Sequence, residues 1–258
     1  MKKPFVFFDI DDTLLDARTK KIPESTGRAL AMLHDAGFPL GVASGRNAFY
    51  LPEGIRELAP WSYYIFGSGH IIRGSAFEIL YCKAFPEEVV RRCLAISEQT
   101  GVSLELKNEE GKFITREANE SMRHAFSYFE VDYPPIMEYN GQVVTSMTCY
   151  APVGVRVPEF DAYREIEMLY GRSSYCDIVL RGIDKVSAIR KILFWENTER
   201  FIAFGDSLND LGMIRAADFS VAMGNGCEEI RAAASYVTAG VSEDGLMQAA
   251  EKILQMEW

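Results

Sequence analysis

The sequence predicts an α/β fold in which a mostly parallel sheet is interrupted by an inserted α+β segment. Two wholly apolar stretches, Phe5–Phe8 and residues 201–204, have the composition of strands that are buried on both faces of a parallel sheet. Helical and strand-like segments alternate around both stretches, which is the pattern of successive βαβ units. Between residues 82 and 182 this pattern changes, which indicates a second unit of different architecture.

The amino-terminal region alternates between strands and helices. A predicted helix begins after Pro23 and ends at Gly37, where glycine is a common helix terminator. Apolar strands are predicted at residues 39–43 and 62–66, and residues 71–83 have the pattern of a hairpin. Successive strands of this kind are expected to lie in one sheet.

We predict one domain from residues 1–81 and 183–258 and a second from the inserted residues 82–182. Within the insert, residues 103–107 alternate apolar and polar side chains, as a half-exposed antiparallel strand does. A helix is predicted over residues 159–170. The insert is therefore expected to be a small α+β domain with its own core.

Composition and charge narrow the possible functions. Thirty-seven acidic and 27 basic residues give the 258-residue chain a net charge of −10, and no run rich in lysine or arginine occurs. This balance disfavours nucleic acid and anionic membranes as partners. No apolar run reaches the roughly 20 residues that span a bilayer, and the opening residues lack the apolar core of a signal peptide. Five scattered cysteines without a C-x-x-C motif are typical of a cytoplasmic protein.

Acidic side chains follow both of the buried strands. Asp9 and Asp11 come after the first strand, and Asp206 and Asp210 come after the second. Because parallel strands present their carboxyl ends at one edge of the sheet, these side chains are expected to converge. Carboxylates are the ligands that Mg²⁺ prefers, although a single acidic turn is also common without any function. The pair of acidic loops therefore predicts a magnesium site.

Residues suited to phosphate binding occupy related positions. Ser44 and Gly45 follow an apolar strand, Asn209 lies in the second acidic loop, and Lys185 begins a predicted helix. A hydroxyl group followed by glycine at a helix start can hold a phosphate oxygen, and a lysine can neutralise it. Taken singly, Ser44 could be a helix cap and Lys185 a solvated surface residue. The order of all these signals along the chain favours the functional interpretation.

This order of motifs resembles the haloacid dehalogenase (HAD) superfamily of phosphotransferases. The motifs read Asp9-Ile10-Asp11-Asp12-Thr13, Val42-Ala43-Ser44-Gly45-Arg46, Asp184-Lys185-Val186-Ser187-Ala188-Ile189 and Phe204-Gly205-Asp206-Ser207-Leu208-Asn209-Asp210. The insert, together with Ala222-Met223-Gly224-Asn225 and Asp244-Gly245, is similar to the Cof-like subfamily of sugar-phosphate phosphatases. The chain departs from that subfamily at Ser68-Gly69-His70, where Asn-Gly-Ala is common, and at Val186, where glycine is usual.

The resemblance implies a Rossmann-like HAD core, a cap formed by the insert, and a covalent mechanism. Asp9 would attack phosphorus and form an aspartyl-phosphate, and Asp11 would act as general acid and then as general base. Mg²⁺ would be bound by the Asp9 carboxylate, the backbone carbonyl of Asp11, and Asp206. The cap would close over the site, exclude water and contact the leaving group.

The resemblance also assigns the remaining residues of the site. Those that would hold the phosphoryl oxygens are Ser44, Gly45, Lys185 and Asn209. Asp210 would orient Lys185 or a metal-bound water, and Thr13 and Arg46 would support the site. His70 is expected to be a structural residue without a part in the chemistry.

The resemblance thus implies an Mg-dependent hydrolase of small phosphorylated metabolites, with sugar phosphates as the substrate class of the subfamily. A phosphomutase or phosphotransferase with the same core remains an alternative, in which a second hydroxyl group replaces water. A non-catalytic phosphosugar sensor is a further alternative, but a pure binder gains nothing from a nucleophile that faces the phosphate. A receiver-type switch is disfavoured, because such domains are about half this length.

Overall fold

The computed structural model describes residues 2–129, 131–170 and 173–258. Numbered along this part of the chain, the strands are β1 (Phe5–Phe8), β2 (Leu40–Ala43), β3 (Tyr63–Phe66), β4 (Ile71–Gly74), β5 (Ile79–Cys82), β6 (Ser103–Lys107), β7 (Lys112–Phe113), β8 (Ser146–Tyr150), β9 (Ile166–Leu169), β10 (Tyr175–Leu180), β11 (Phe201–Gly205), β12 (Phe219–Ala222) and β13 (Tyr236–Val237). The α-helices are α1 (Glu24–Asp35), α2 (Ile55–Leu58), α3 (Glu87–Thr100), α4 (Glu120–Phe129), α5 (Pro158–Asp161), α6 (Lys185–Trp195), α7 (Leu211–Ala216), α8 (Glu228–Ala233) and α9 (Gly245–Leu254).

The larger of two sheets has eight strands in the order β13-β12-β11-β1-β2-β3-β4-β5. The strands from β13 to β3 run parallel, whereas β4 and β5 are antiparallel additions at one edge. This arrangement confirms the predicted α/β fold class. It also places the carboxyl ends of β1, β2 and β11 next to one another, because these three strands are neighbours in the sheet.

Strand β1 is buried on both of its faces, as its unbroken apolar sequence predicts. Val6 and Phe8 belong to a core that includes apolar residues of α1 and α9. Phe5 and Phe7 point to the opposite face, into a second core with residues of α6, α7 and α8. Two helical layers therefore cover the sheet and fix β1 at its centre.

The second sheet has five antiparallel strands in the order β7-β6-β8-β10-β9. Helix α3 packs on one face of this sheet and contributes Val90, Cys93 and Ile96 to a separate hydrophobic core. Met122 and Phe126 of α4 form a smaller core with Tyr150. This sheet lies wholly within residues 82–182, and the bounds of the two domains stay a prediction.

Two expectations about the insert are wrong. The helix expected over residues 159–170 is the short α5 followed by strand β9. Ile166 and Met168 are buried and Glu167 is exposed, because β9 pairs with β10 at the edge of the sheet and alternates its side chains. Strand β6 is not half-exposed, because all five of its residues are buried and its polar face is covered.

Two further observations concern the chain as a whole. None of the helices in the described ranges has the length and apolar character needed to cross a membrane. The five cysteines are free thiols, of which Cys93, Cys149 and Cys176 are buried in the insert. Their thiols contribute to packing as small apolar groups.

Candidate active site

Lys185 lies at the centre of a buried group of charges. Its ammonium Nζ is 2.7 Å from Oδ1 of Asp9 and 2.6 Å from Oδ1 of Asp210, and the side chain is 2% exposed. Asp9 directly follows β1, and Asp210 lies in the loop after β11. The alternative of a solvated surface lysine is therefore wrong. We call Asp9, Asp206 and Asp210, with Lys185 between them, the carboxylate cluster.

The start of helix α6 determines the position of Lys185. Asp184 is the N-cap of this helix, and its carboxylate accepts a hydrogen bond of 2.7 Å from the backbone N–H of Ser187. The Ser187 hydroxyl in turn accepts a hydrogen bond from the N–H of Asp184, which completes a capping box. The cap fixes the first turn of α6, and with it the direction of Lys185.

Burial and neighbouring charges act against each other in this cluster. Burial alone would lower the pKa of Lys185, but the carboxylates of Asp210 and Asp9 outweigh it and raise that pKa. Burial raises the pKa of Asp9, which Lys185 opposes and Asp210 reinforces. Burial and the carboxylates of Asp210 and Asp9 also raise the pKa of Asp206. Three carboxylates share a single lysine, so a further cation would stabilise their ionised forms.

Carboxylate oxygens of Asp9, Asp206 and Asp210 lie within 4.8 Å of one another, close enough to share a metal ion. Asp210 is already engaged, because Oδ1 accepts from Lys185 and Oδ2 accepts from the N–H groups of Asp206 and Ser207. Asp9 and Asp206 are therefore the carboxylates that fit Mg²⁺ best, since hard oxygen ligands suit this ion.

Asp11 forms an ion pair with Arg46. Arg46 donates from Nε to one carboxylate oxygen of Asp11 and from a terminal nitrogen to the other, each at 2.7 Å. A second terminal nitrogen of Arg46 donates to the backbone carbonyl of Tyr50 at 2.8 Å. Arg46, which the sequence suggests only as a supporting residue, thus fixes the orientation of the Asp11 carboxylate directly.

Ser44 and Gly45 follow β2, and Asn209 directly precedes Asp210 in the loop after β11. Ser44 is buried, and its hydroxyl oxygen accepts a hydrogen bond of 3.1 Å from the N–H of Arg46. A Cβ atom at position 45 would lie 3.8 Å from the amide nitrogen of Asn209 and only 2.6 Å from a carboxylate oxygen of Asp177. A glycine at position 45 therefore permits the loop after β2, the loop after β11 and the insert to meet closely.

The model of the haloacid dehalogenase-like hydrolase family matches residues 6–249 of this chain. The chain belongs to this family. The resemblance that the four motifs indicate is thereby confirmed, and so is the prediction that the protein is a hydrolase.

Relatives of this hydrolase cover nearly its whole length. YkrA of Bacillus subtilis strain 168, named as a candidate phosphatase, is 27% identical over 262 residues that cover 98% of each chain. The HMP-PP phosphatase of Yersinia pseudotuberculosis serotype O:1b is 27% identical over 236 residues, which cover 87% of this chain and 85% of that protein.

Among solved structures, the HAD subclass IIB sugar phosphatase BT4131 has a TM-score of 0.85 and 27% identity, and the match covers 98% of this chain and 100% of that chain. The HAD phosphatase BT1666 from Bacteroides thetaiotaomicron has a TM-score of 0.89 with 22% identity, covering 98% of this chain and 96% of its own, which shows the shared fold.

Two side chains tie the first acidic loop of this hydrolase to its neighbours. Thr13 donates its hydroxyl to Asp206 at 3.4 Å. Asn225 donates to the backbone carbonyl of Asp12 at 2.9 Å and accepts from the N–H of Val241 at 2.8 Å. Asn225 is part of a subfamily motif, but only the structure shows that it supports the loop of Asp9 and Asp11.

The five-stranded sheet has a buried polar surface that the sequence analysis does not predict. Glu105, Thr148 and Asp177 are direct neighbours across β6, β8 and β10. Lys107 follows Glu105 by two residues in β6 and so lies on the same face of the sheet. Glu105, Lys107 and Thr148 are all 5% exposed or less. We call these four residues the inner face, because they point towards the larger sheet rather than into the core under α3.

Hydroxyl groups hold the inner face. Tyr50 and Tyr150 donate to the two carboxylate oxygens of Glu105 at 2.8 and 2.9 Å. Lys107 donates to the hydroxyl of Thr148 at 2.6 Å. Asp177 accepts from Thr148 and from Ser68, each at 3.2 Å. Because Tyr50 and Ser68 come from loops of the larger sheet, the inner face stands directly over the candidate active site.

Proposed function

We propose that this hydrolase is an Mg-dependent phosphatase of small phosphate monoesters, sugar phosphates foremost, that works through an aspartyl-phosphate. The observation that carries the proposal is the buried Lys185 held between Asp9 and Asp210, next to Asp206. A buried ammonium group beside a carboxylate is suited to bind a phosphate and to stabilise negative charge in the transition state. A structural ion pair would not need two acidic loops at the same sheet edge.

In the first step, one Asp9 carboxylate oxygen forms a bond to phosphorus while the bond from phosphorus to the leaving oxygen breaks. Asp11 donates a proton to that leaving oxygen, so the alcohol departs neutral. Both oxygens of Asp11 accept from Arg46 in the structure, so Arg46 must release one of them when the substrate enters. Lys185, Ser44 and Asn209 hold the phosphoryl oxygens throughout.

In the second step, a water oxygen attacks the phosphorus of the aspartyl-phosphate. Asp11 accepts the proton of that water, and the bond between Asp9 and phosphorus breaks, which regenerates both carboxyl groups. Asp9, Asp206 and the backbone carbonyl of Asp11 would hold Mg²⁺. The ion would supply charge neutralisation between the nucleophile and the phosphate.

The inner face supports a hydroxyl-rich leaving group. Its two carboxylates, Glu105 and Asp177, offer hydrogen-bond acceptors, and the ammonium groups of Lys107 and Lys112 lie near Glu105. Such a surface accepts hydrogen bonds from the hydroxyl groups of a sugar. A related solved structure is that of a sugar phosphatase, which points in the same direction.

Mass spectrometry after rapid quenching tests the covalent step with two matched variants. With an aryl phosphate, whose leaving group needs little protonation, Asp11→Asn should accumulate phosphate on the peptide that contains Asp9. Asp9→Asn should carry none, and its turnover should fall by several orders of magnitude, on the order of 10⁴-fold. Equal and unimpaired turnover in both variants would contradict the proposal.

A panel of phosphate monoesters, assayed with Mg²⁺, identifies the substrate class. Release of inorganic phosphate separates hydrolysis from the alternative of phosphoryl transfer, in which a second phosphorylated product would appear. Faster hydrolysis of a folded phosphoprotein than of hexose phosphates would contradict a substrate that must fit beneath the inner face. We further propose that the protein works in the cytoplasm, in keeping with its free thiols.

A further inference from the structure

The side chain of His70 contacts the segment that leads into the inserted unit and the last residue of β10, directly before the segment that leads out of it. Residues 83–86 connect β5 to α3, and residues 181–184 connect β10 to α6. His70 lies at the start of β4 and is completely buried. Its sequence neighbourhood, Ser68-Gly69-His70, is the departure from the subfamily pattern that the chemistry above does not use.

The imidazole ring is hydrogen-bonded on both sides. Nδ1 lies 2.7 Å from the carbonyl oxygen of Lys83, and Nε2 lies 3.2 Å from the N–H of Leu180. Because the N–H of Leu180 must donate, Nε2 is the acceptor and Nδ1 carries the proton that Lys83 accepts. Burial lowers the pKa of His70 to about 4, which keeps this neutral form over the working pH range of most enzymes.

Further contacts attach His70 to the segment that leads into the insert. The backbone carbonyl of His70 accepts from the N–H of Lys83 at 2.8 Å, so Lys83 is held through both of its backbone groups. The ring stacks on Phe85 with centroids 4.6 Å apart and an angle of 10° between the planes. Phe85 belongs to the hydrophobic core of the insert.

The two residues before His70 reach the active site itself. Ser68 adopts φ +54°, donates its N–H to the carbonyl of Ser44 and donates its hydroxyl to Asp177 of the inner face. Gly69 has φ +112°, and a Cβ atom there would lie 2.2 Å from the carbonyl oxygen of Asp184, the N-cap that precedes Lys185. One tripeptide therefore joins both connections, the inner face, and the loops of Ser44 and Lys185.

We propose that His70 is a positioning residue that fixes the inner face over the active site, and thereby sets the selectivity for the leaving group. This inference rests on the proposed phosphatase function for its kinetic consequence. Loss of the ring nitrogens leaves the buried N–H of Leu180 and the carbonyl of Lys83 without partners. The insert would then shift relative to the larger sheet, while the carboxylate cluster, which belongs to the larger sheet, would stay in place.

The test compares His70→Phe with His70→Gln. Phenylalanine keeps a ring on Phe85 but has no donor or acceptor, whereas glutamine carries a donor and an acceptor on one amide carbon, as the Nδ1–Cε1–Nε2 edge of imidazole does. For the hexose phosphate that the wild type hydrolyses best, His70→Phe should lower kcat/KM at least about tenfold, mainly through KM. For acetyl phosphate, which is too small to reach the inner face, the change should stay within about threefold.

The conservative variant and an activity-independent measurement complete the test. His70→Gln should restore kcat/KM for the hexose phosphate to within about threefold of the wild type, and exposed His34→Phe should have no effect. Amide hydrogen exchange should accelerate at Leu180 in His70→Phe but not in His70→Gln, with β11 unchanged in both.

Each contrary outcome has a distinct meaning. Equal losses for both substrates, or unchanged kinetics, would overturn the positioning role. If the wild type hydrolyses no phosphate ester, the proposed function fails, and the exchange at Leu180 alone then decides whether His70 holds the connections. Unchanged exchange at Leu180 in His70→Phe would overturn the inference.

Discussion

The carboxylate cluster and the inner face are both buried groups of carboxylates around a lysine, but they are held together differently. Lys185 contacts two carboxylates directly, at 2.6 and 2.7 Å. Lys107 instead contacts the hydroxyl of Thr148 at 2.6 Å, and its carboxylate neighbour Glu105 is 3.7 Å away. Hydroxyl groups of Tyr50, Tyr150, Thr148 and Ser68 donate to the carboxylate oxygens of Glu105 and Asp177.

This difference indicates which of the partners in each region a bound substrate could replace. A buried ion pair is costly to open, because either charge would be left without a partner, so the carboxylate cluster keeps its geometry. A hydrogen bond from a hydroxyl group can be replaced by one from a ligand hydroxyl at little net cost. We therefore expect the inner face to adapt to a substrate and the carboxylate cluster to remain fixed.

The strongest test of this comparison is Lys185→Met. Removal of the lysine that contacts Asp9 and Asp210 should lower kcat/KM by about 10³-fold or more for every phosphate ester. The free energy of unfolding should also fall by about 3 kcal/mol, as for other broken buried pairs. Steady-state kinetics and urea unfolding measure both effects, with Lys191→Met on the same helix as the control. A loss of kcat/KM that is confined to large substrates would mean that Lys185 binds the leaving group and not the phosphate.

Glu105→Gln tests the inner face with a smaller expected effect. This nearly isosteric change removes one negative charge, so kcat/KM for hexose phosphates should fall about tenfold, while acetyl phosphate should change less than about threefold. Hydrolysis of a sugar bisphosphate should rise relative to that of the monophosphate, because repulsion of the second phosphate weakens. A uniform loss across all three substrates would show that Glu105 acts on catalysis and would remove the distinction between the regions.

Added Mg²⁺ should raise the melting temperature more at about pH 8 than at about pH 5, by on the order of 5 °C. The pKa values of Asp9 and Asp206 are raised in the folded protein, so their contribution to stability is fully present below the ordinary carboxyl pKa near about 4. That contribution to stability is lost as the pH rises through the raised pKa values of the folded protein. At that pH the two carboxylates ionise and can bind Mg²⁺. Calorimetry with and without Mg²⁺ measures the difference. An equal shift at both pH values would place the ion away from these two carboxylates.

The smallest effect is expected for Tyr50→Phe. Loss of one hydroxyl donor to Glu105 should change KM for hexose phosphates by no more than about threefold and leave kcat unchanged, since a substrate hydroxyl can take over that hydrogen bond. Tyr133→Phe, which removes an exposed hydroxyl of the insert, is the control. A fall in kcat of about tenfold or more would instead implicate Tyr50 in placing Arg46, which contacts its backbone carbonyl.

The sequence predicts the carboxylate cluster well because its residues follow strands that are recognisable by composition alone. Asp9 and Asp206 come directly after β1 and β11, and the topology of a parallel sheet then brings them together. The family motifs add Lys185, whose burial no local pattern indicates. Its direct contact with Asp210 was one of two possibilities that the sequence left open, and the structure shows that contact.

The inner face could not be predicted in the same way. Glu105 stands in a strand whose alternation is typical of half-exposure, and only the docking of the insert on the larger sheet buries it. The contacts of Arg46 and His70 are not predictable from the sequence for a related reason. Their partners, Asp11 for the one and Leu180 for the other, are distant in sequence and come together only in the folded chain.

The pairing of β1 with β11 has a consequence for how the polypeptide acquires its structure. Phe5 pairs with Phe201, so the two strands that carry the acidic loops are about 200 residues apart along the chain. Loop closure over such a distance is slow, whereas the five-stranded sheet contains only contacts within residues 103–180. During synthesis from the amino terminus, we expect the insert to fold while the central strand of the larger sheet still lacks one neighbour. Catalytic competence is then the last property that a newly made chain gains.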